Sequence, residues 1–179
     1  LDIGHIVHSR SGDSALHVAA RAGHSSVLEV LLAHGLGVEV RNLEGKTTVH
    51  EAAQAGNLAA VLVLISAGAE VDAIKRADWT PLMLAAVEGS KQCAVTLLEH
   101  GADPKRLNLV NATALEIAIA AGKTEVRSFL SEQTGSAAAS GRYMFSTVED
   151  VGIHTAAQTG ELARLEDILA NGESDVDEL

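Results

Sequence analysis

The chain has 179 residues, 30 of them alanine, 22 leucine and 16 glycine, and Trp79, Phe129, Tyr143 and Phe145 are its only aromatics. With 47% hydrophobic and 21% charged residues it is not a disordered acidic chain, and so few large rings argue for a thin stacked core rather than one thick globular one. The net charge of −11 supplies no basic face for a phosphate backbone, the lone Cys93 excludes an internal disulfide, and the longest apolar run, Leu58 to Ile65, is far short of a membrane span of about 20 residues.

Residues 1–13 read as the end of a preceding unit or an N-terminal cap. The chain opens on Leu1 and closes on Leu179, and both ends read as cuts within a longer array. From Ser14 the sequence repeats itself with a step of 33: Ser14-Ala15-Leu16-His17, Thr47-Thr48-Val49-His50, Thr80-Pro81-Leu82-Met83 and Thr113-Ala114-Leu115-Glu116. The glycines Gly23, Gly56, Gly89 and Gly122 keep that step, as do Leu31, Leu64, Leu97 and Leu130. So do the small pairs Ala19-Ala20, Ala52-Ala53 and Ala85-Ala86, continued by Ala118-Ile119. Four units over residues 14–130 follow.

Each unit reads as two short helices and a turn. Ser14, Thr47, Thr80 and Thr113 are placed to cap the first helix, and Pro81 occupies a first-turn position where its missing N–H costs little. The column glycine breaks that helix. A second helix follows with an apolar stripe, Val27, Leu28, Leu31 and Leu32 in the first unit, and Gly35, Gly68 or Gly101 stops it. An extended loop then makes a tight turn at Gly12 or Gly45, with Asp78 and Asn111 in that column later; Asn and Asp tolerate left-handed backbone better than most residues. Residues 131–150, with Gly135-Ser136-Ala137-Ala138-Ala139-Ser140-Gly141, read as a flexible connector, and Tyr143, Met144 and Phe145 as tacks onto the stack. Residues 151–179 read as a degenerate fifth unit, continuing past Leu179, with His154, Ala156-Ala157 and Gly160.

The chemistry-bearing residues fall mostly in repeating columns, and an active site does not recur in every unit. His17, His50 and His154 are expected to bond backbone between units. His34 and His100 suit the negative end of a second helix. His5 and His8 have a spacing able to ligate zinc but no third or fourth ligand nearby. Cys93 shares a core column with Val27, Ala60 and Val126. Residues 151–179 hold seven carboxylates against one arginine, and that acidic end lacks the spacing of a calcium loop and reads as a solvated face. No catalytic residue, metal site or cofactor is expected.

These motifs resemble the ankyrin repeat family over residues 9–172. The resemblance implies an all-α solenoid of stacked helix–turn–helix units with hairpin-like turns. It implies a non-enzymatic protein-binding scaffold, monomeric, in the cytoplasm or nucleus. In such stacks partners dock on the turn tips and on the inner face of the first helices. Carried over residue by residue, that face includes Arg10, Arg21, Arg41, Leu43, Glu44, Lys46, Arg76, Trp79, Val87, Glu88, Leu109 and Val110. Arg10, Arg21, Arg41, Lys46 and Arg76 make a basic stripe beside an apolar neighbourhood of Trp79, Val87, Leu109 and Val110. The expected partner is a protein segment of acidic and hydrophobic character anchored on Trp79. A narrower likeness lies in His50-Glu51-Ala52-Ala53, Ala69-Glu70-Val71-Asp72 and Lys75 to Met83. It implies association with an aminoacyl-tRNA synthetase, that for alanine, and a role in limiting mischarging through lysine acceptors. A third expectation is a targeting arm of a larger enzyme.

Overall fold

The computed structural model describes residues 10–135, all within the first of the two units into which the chain divides, residues 1–137 and 138–179. His5, His8, His154, Tyr143, Phe145, the fifth repeat and the acidic end lie outside the described residues.

Eight helices form among them: α1 (Ala15–Ala22), α2 (Ser25–Ala33), α3 (Thr48–Gln54), α4 (Leu58–Ser66), α5 (Pro81–Glu88), α6 (Lys91–Glu99), α7 (Ala114–Ala120) and α8 (Thr124–Thr134). They pair as α1–α2, α3–α4, α5–α6 and α7–α8, and the pairs stack in chain order, α1 on α3 on α5 on α7 and α2 on α4 on α6 on α8. The architecture is an all-α solenoid, as the 33-residue step requires.

The alanines set the spacing of the first-helix row. Ala19, Ala20, Ala52, Ala53, Ala85, Ala86 and Ala118 are all buried, so neighbouring backbones approach closely. Larger aliphatics fill the space behind them: Leu16, Val49 and Leu82 on the first helices, and Leu28, Leu64, Leu97 and Leu130 on the second. No unit could bury this stripe alone, and stacking does it. Cys93 is fully buried here with Ala60 and Val126, and burial pushes its thiol above the usual range, against a hydrogen bond with Ser90. Val27, in the same column of the first unit, is 45% exposed, because no described residue packs on its outer side.

Each second helix stops where a glycine turns left-handed. At Gly35 (φ 85°) the chain reverses, and the Leu36 N–H reaches back to the Leu31 carbonyl at 3.3 Å. The same bond recurs from Ala69 to Leu64 and from Ala102 to Leu97, both at 3.0 Å. The fourth unit has Thr134 where the others have this glycine. Lacking the stop, α8 runs on to Thr134 and ends at Gly135 (φ 64°), four residues into the stretch 131–150 expected as connector.

The turn tips are knitted unit to unit. The Leu43 N–H donates to the Ser11 carbonyl (3.0 Å), Arg76 to Glu44 (3.5 Å) and Leu109 to Ala77 (3.1 Å). Gly12, Gly45, Asp78 and Asn111 all have positive φ, as the column predicted. Ala77 at φ 64° was not predicted. In the second and fourth units an asparagine opens the turn: the Asn42 Oδ1 accepts from Glu44 and Lys46 N–H, and Asn108 Oδ1 from Val110 and Ala112. The third unit has Lys75 at that position, which offers no acceptor. Its turn tightens into a short 3-10 segment (Arg76–Asp78) with two successive left-handed residues.

Candidate partner-binding face

The first helices are positioned by a shared cap. The Ser14 N–H donates to His17 Nδ1 at 3.2 Å, and the Thr47 N–H to His50 Nδ1 at 3.1 Å. Each Nδ1 is therefore an acceptor, so the ring proton is on Nε2. His17 Nε2 donates to the Lys46 carbonyl at 2.9 Å, and His50 Nε2 to the Trp79 carbonyl at 3.1 Å. Both bonds cross to the next unit, as expected for this column. Burial holds the His50 imidazole well below its ordinary 6.5, down to about 4, against the backbone bond to Trp79. In the fourth unit Glu116 performs the local half of the task, accepting from the Thr113 N–H, and reaches no further. His34 and His100 sit at the ends of α2 and α6, with Nδ1 on the carbonyls of Val30 (2.7 Å) and Thr96 (2.8 Å).

This framework brings the turn tips and the inner sides of the first helices onto one face. The charges expected there as a basic stripe are largely engaged. Arg21 is held by Asp13 and by Glu51, the latter at 2.9 Å through Nε, and these hydrogen bonds push its guanidinium further up. Lys46 contacts Glu44 at 2.9 Å and Glu51 at 3.5 Å. Arg41 donates to the carbonyls of Ile74 (2.6 Å) and Gly45 (3.1 Å). The stripe is thus a set of structural contacts, of which Arg21 to Glu51 and Arg41 to Ile74 cross between units, with Arg10 and Arg76 exposed at its edge.

Asp13 and Glu51 are the buried anions of this network, 5% and 4% exposed. Burial alone would raise the Asp13 carboxyl; hydrogen bonds from Arg21, Asn42 and Ser11 overcome it and hold the group at about 2. Asn42 Nδ2 ties both acids together, at 2.8 Å to Asp13 and 3.4 Å to Glu51. Glu51 escaped the sequence reading, although its column gave a signal: the other units place Val18, Leu84 and Ile117 there. An acid in an otherwise aliphatic column needs a partner.

The third and fourth units change the character of the face. At the positions of Asp13 and Lys46 stand Trp79 and Ala112, and at those of Arg21 and Gln54 stand Val87 and Ala120. Trp79 and Val87 are half-buried against the core. The Lys75 ammonium lies 5.3 Å from the centre of the Trp79 ring, and burial, with help from Lys46, lowers its proton affinity. Asn108 repeats the turn role of Asn42, but its buried Nδ2 has no hydrogen-bond partner among the described residues. Two repeats on, the positions of Asp13 and Glu51 are taken by Trp79 and Ile117, whose side chains offer no acceptor. Leu43, Leu107, Leu109 and Val110 stand out at the tips, 61%, 50%, 69% and 66% exposed.

Between the first three units lies a groove of about 350 Å³, lined by Ser11, Asp13, Arg21, Asn42, Glu44, Lys46, Glu51, Gln54, Ala55 and Glu88. Among the described residues no group of three or more His, Cys, Asp or Glu side chains is arranged to hold a metal ion. No described helix is long and apolar enough to cross a membrane.

Stacked helix pairs, histidine caps reaching the next unit and one continuous face of turn tips define a helical-repeat solenoid. A family model described as ankyrin repeats (3 copies) matches residues 2–75 and again 72–140, and the chain belongs to the ankyrin repeat family. No curated protein matches the chain. Ankyrin repeats are in general protein–protein interaction modules.

Proposed function

We propose that the chain is a non-catalytic scaffold, monomeric and cytoplasmic or nuclear, that grips a protein segment across its turn tips and first-helix face. The observation that carries this is the apolar set beside Trp79. Leu43, Leu107, Leu109 and Val110 are each at least half exposed, although a soluble stack gains nothing from leucine and valine at its tips. Trp79 and Val87 offer rigid apolar area next to them, the kind of centre on which binding energy concentrates. Affinity capture with the chain and with Trp79→Ala tests it. Proteins retained by the first and lost by the second, while a Glu29→Ala variant on α2 retains them, support the assignment. Equal retention by all three excludes this face.

A second reading rests on Lys75. The narrower likeness is to ankyrin repeat domain-containing protein sixteen, associated with alanyl-tRNA synthetase and with limiting serine mischarging. Burial of Lys75 favours its neutral, nucleophilic amine, which suits an acceptor of an activated acyl group. Against it, Arg76 beside Lys75 is no nucleophile, and the next turn, Leu107-Asn108-Leu109-Val110, has no lysine. Mass spectrometry of Lys46, Lys75 and Lys105 after incubation with the charged synthetase decides; unmodified lysines rule it out. A targeting arm of a larger enzyme is tested by recovering the full reading frame.

A further inference from the structure

One column of the turn tips alternates in kind along the stack. Each unit places one residue there, Arg10, Leu43, Arg76 and Leu109 in turn, at the 33-residue step. All four are exposed, the leucines by more than half. Backbone bonds hold the row in register, since the N–H groups of Leu43, Arg76 and Leu109 each donate to a carbonyl of the preceding tip, Ser11, Glu44 and Ala77. Leu43 also leans over that neighbour, and a Cβ on Gly12 would come within 2.9 Å of its Cγ. The two arginines differ from Arg21, Arg41 and Lys46. Neither side chain has a hydrogen bond or ion pair among the described residues. Glu44, whose carbonyl takes the Arg76 N–H, spends its carboxylate on Lys46 at 2.9 Å, and Asp78 makes no ion pair with Arg76. Free cations and exposed aliphatics therefore alternate, one per unit, along a single line.

We infer, on the basis of the scaffold reading above, that this row receives an extended protein segment whose carboxylate and apolar side chains alternate at every third residue. The carboxylates meet Arg10 and Arg76, and the apolar side chains meet Leu43 and Leu109. Packed helices lie about 8–10 Å apart, and three residues of an extended chain advance about 10 Å, so the two periods match. About ten residues cover the row. The planar fork of a guanidinium pairs with a carboxylate through two parallel N–H bonds. Exposed pairs of this kind set register and partner choice, and the leucines supply the burial. A helix fits the row less well. Its docking stripe is continuously apolar, and here an arginine interrupts the leucines. An anionic lipid surface also offers negative charge over apolar depth, but the net charge of −11 on the whole chain opposes that approach. The acidic and hydrophobic partner expected from the sequence thus acquires a spacing. Its carboxylates fall on Arg10 and Arg76 rather than on Arg21 and Lys46, which Asp13, Glu44 and Glu51 already hold.

A displayed library of random peptides, selected on the whole chain, tests this. Enrichment of Asp or Glu with an aliphatic residue three positions away is expected. Such peptides should bind Arg76→Glu about tenfold more weakly. That side chain is exposed and touches no partner, so the variant keeps the unfolding midpoint of the unaltered chain. Replacing the peptide's matching acid by lysine should restore binding to Arg76→Glu and weaken it to the unaltered chain. Arg106→Glu, an exposed cation of the fourth turn outside the row, should leave binding nearly unchanged. Equal losses in Arg76→Glu and Arg106→Glu, or no rescue by the lysine peptide, overturn the inference. A seven-residue period in the selected peptides overturns it in favour of a helix. Sedimentation with vesicles of phosphatidylserine and phosphatidylcholine that Arg76→Glu abolishes overturns it in favour of a lipid surface. Selected peptides that depend on Trp79 but ignore Arg76→Glu sink the row and leave the scaffold reading standing. Peptides indifferent to both Trp79 and Arg76 sink the two together.

Discussion

The Trp79 carbonyl accepts the Nε2 proton of His50 at 3.1 Å, so the buried imidazole of the second unit is fastened to the residue that anchors the proposed face in the third. His50→Ala removes this bond and the Thr47 cap and leaves a cavity, and is expected to cost about 2–3 kcal/mol in urea unfolding.

The same histidine sets a pH dependence. Its folded-state value of about 4 lies below the ordinary 6.5. Below pH 6.5 the unfolded chain takes up a proton that the folded chain refuses, so stability falls as the pH drops from about 6.5 to 4. The loss from this one group is about 3 kcal/mol at most. Unfolding at pH 7 and pH 4.5 checks it: His50→Ala should lose clearly less than the unaltered chain between the two. An equal loss would place the titrating group elsewhere. Asp13, held down at about 2, keeps its contribution above the ordinary 3.8 and loses it only as the pH falls from there toward 2.

Asn42 and Asn108 hold equivalent turns, but only Asn42 also donates to buried acids. Asn42→Ala strips Asp13 of a donor, whereas Asn108→Ala removes a donor that bonds nothing. Asn42→Ala is expected to be the more destabilising by about 1 kcal/mol, measured by denaturant midpoint at constant slope.

Ala77 sits at φ 64°, a conformation with a penalty for any residue bearing a Cβ. Ala77→Gly relieves it, at some cost in unfolded-chain entropy, and should raise stability by about 0.5–1 kcal/mol. A drop in thermal midpoint would contradict the reading of this turn.

Trp79→Ala is expected to fold, since the ring is only half-buried, and to weaken partner binding by about 2 kcal/mol, roughly thirtyfold. Calorimetry with a selected peptide measures it.

Much of the fold was legible because each unit repeats the same physics. Thr47, Gly68 and the Ala52-Ala53 pair do locally what their copies do, so spacing alone located the caps, stops and close-packed row. The face was less legible. Arg21 reads as a free cation because its partner Glu51 is 30 residues away, and Lys46 because the acids near it in sequence, Glu44 and Glu51, read as a turn tip and part of the motif. Ala77 was missed because its left-handed backbone arises from what Lys75 lacks, an acceptor for the turn. Trp79 stands out in the sequence as the aromatic on a turn-tip column, but its consequence for Asn108 needed the register of two units at once.

The central claim is that the turn tips and first helices, rather than the second helices, hold the partner. Backbone amide shifts on adding a library-selected peptide to the labelled chain test it most directly. The account predicts changes concentrated over residues 42–54, 75–88 and 107–117. Changes concentrated on α2, α4 and α6 would contradict it.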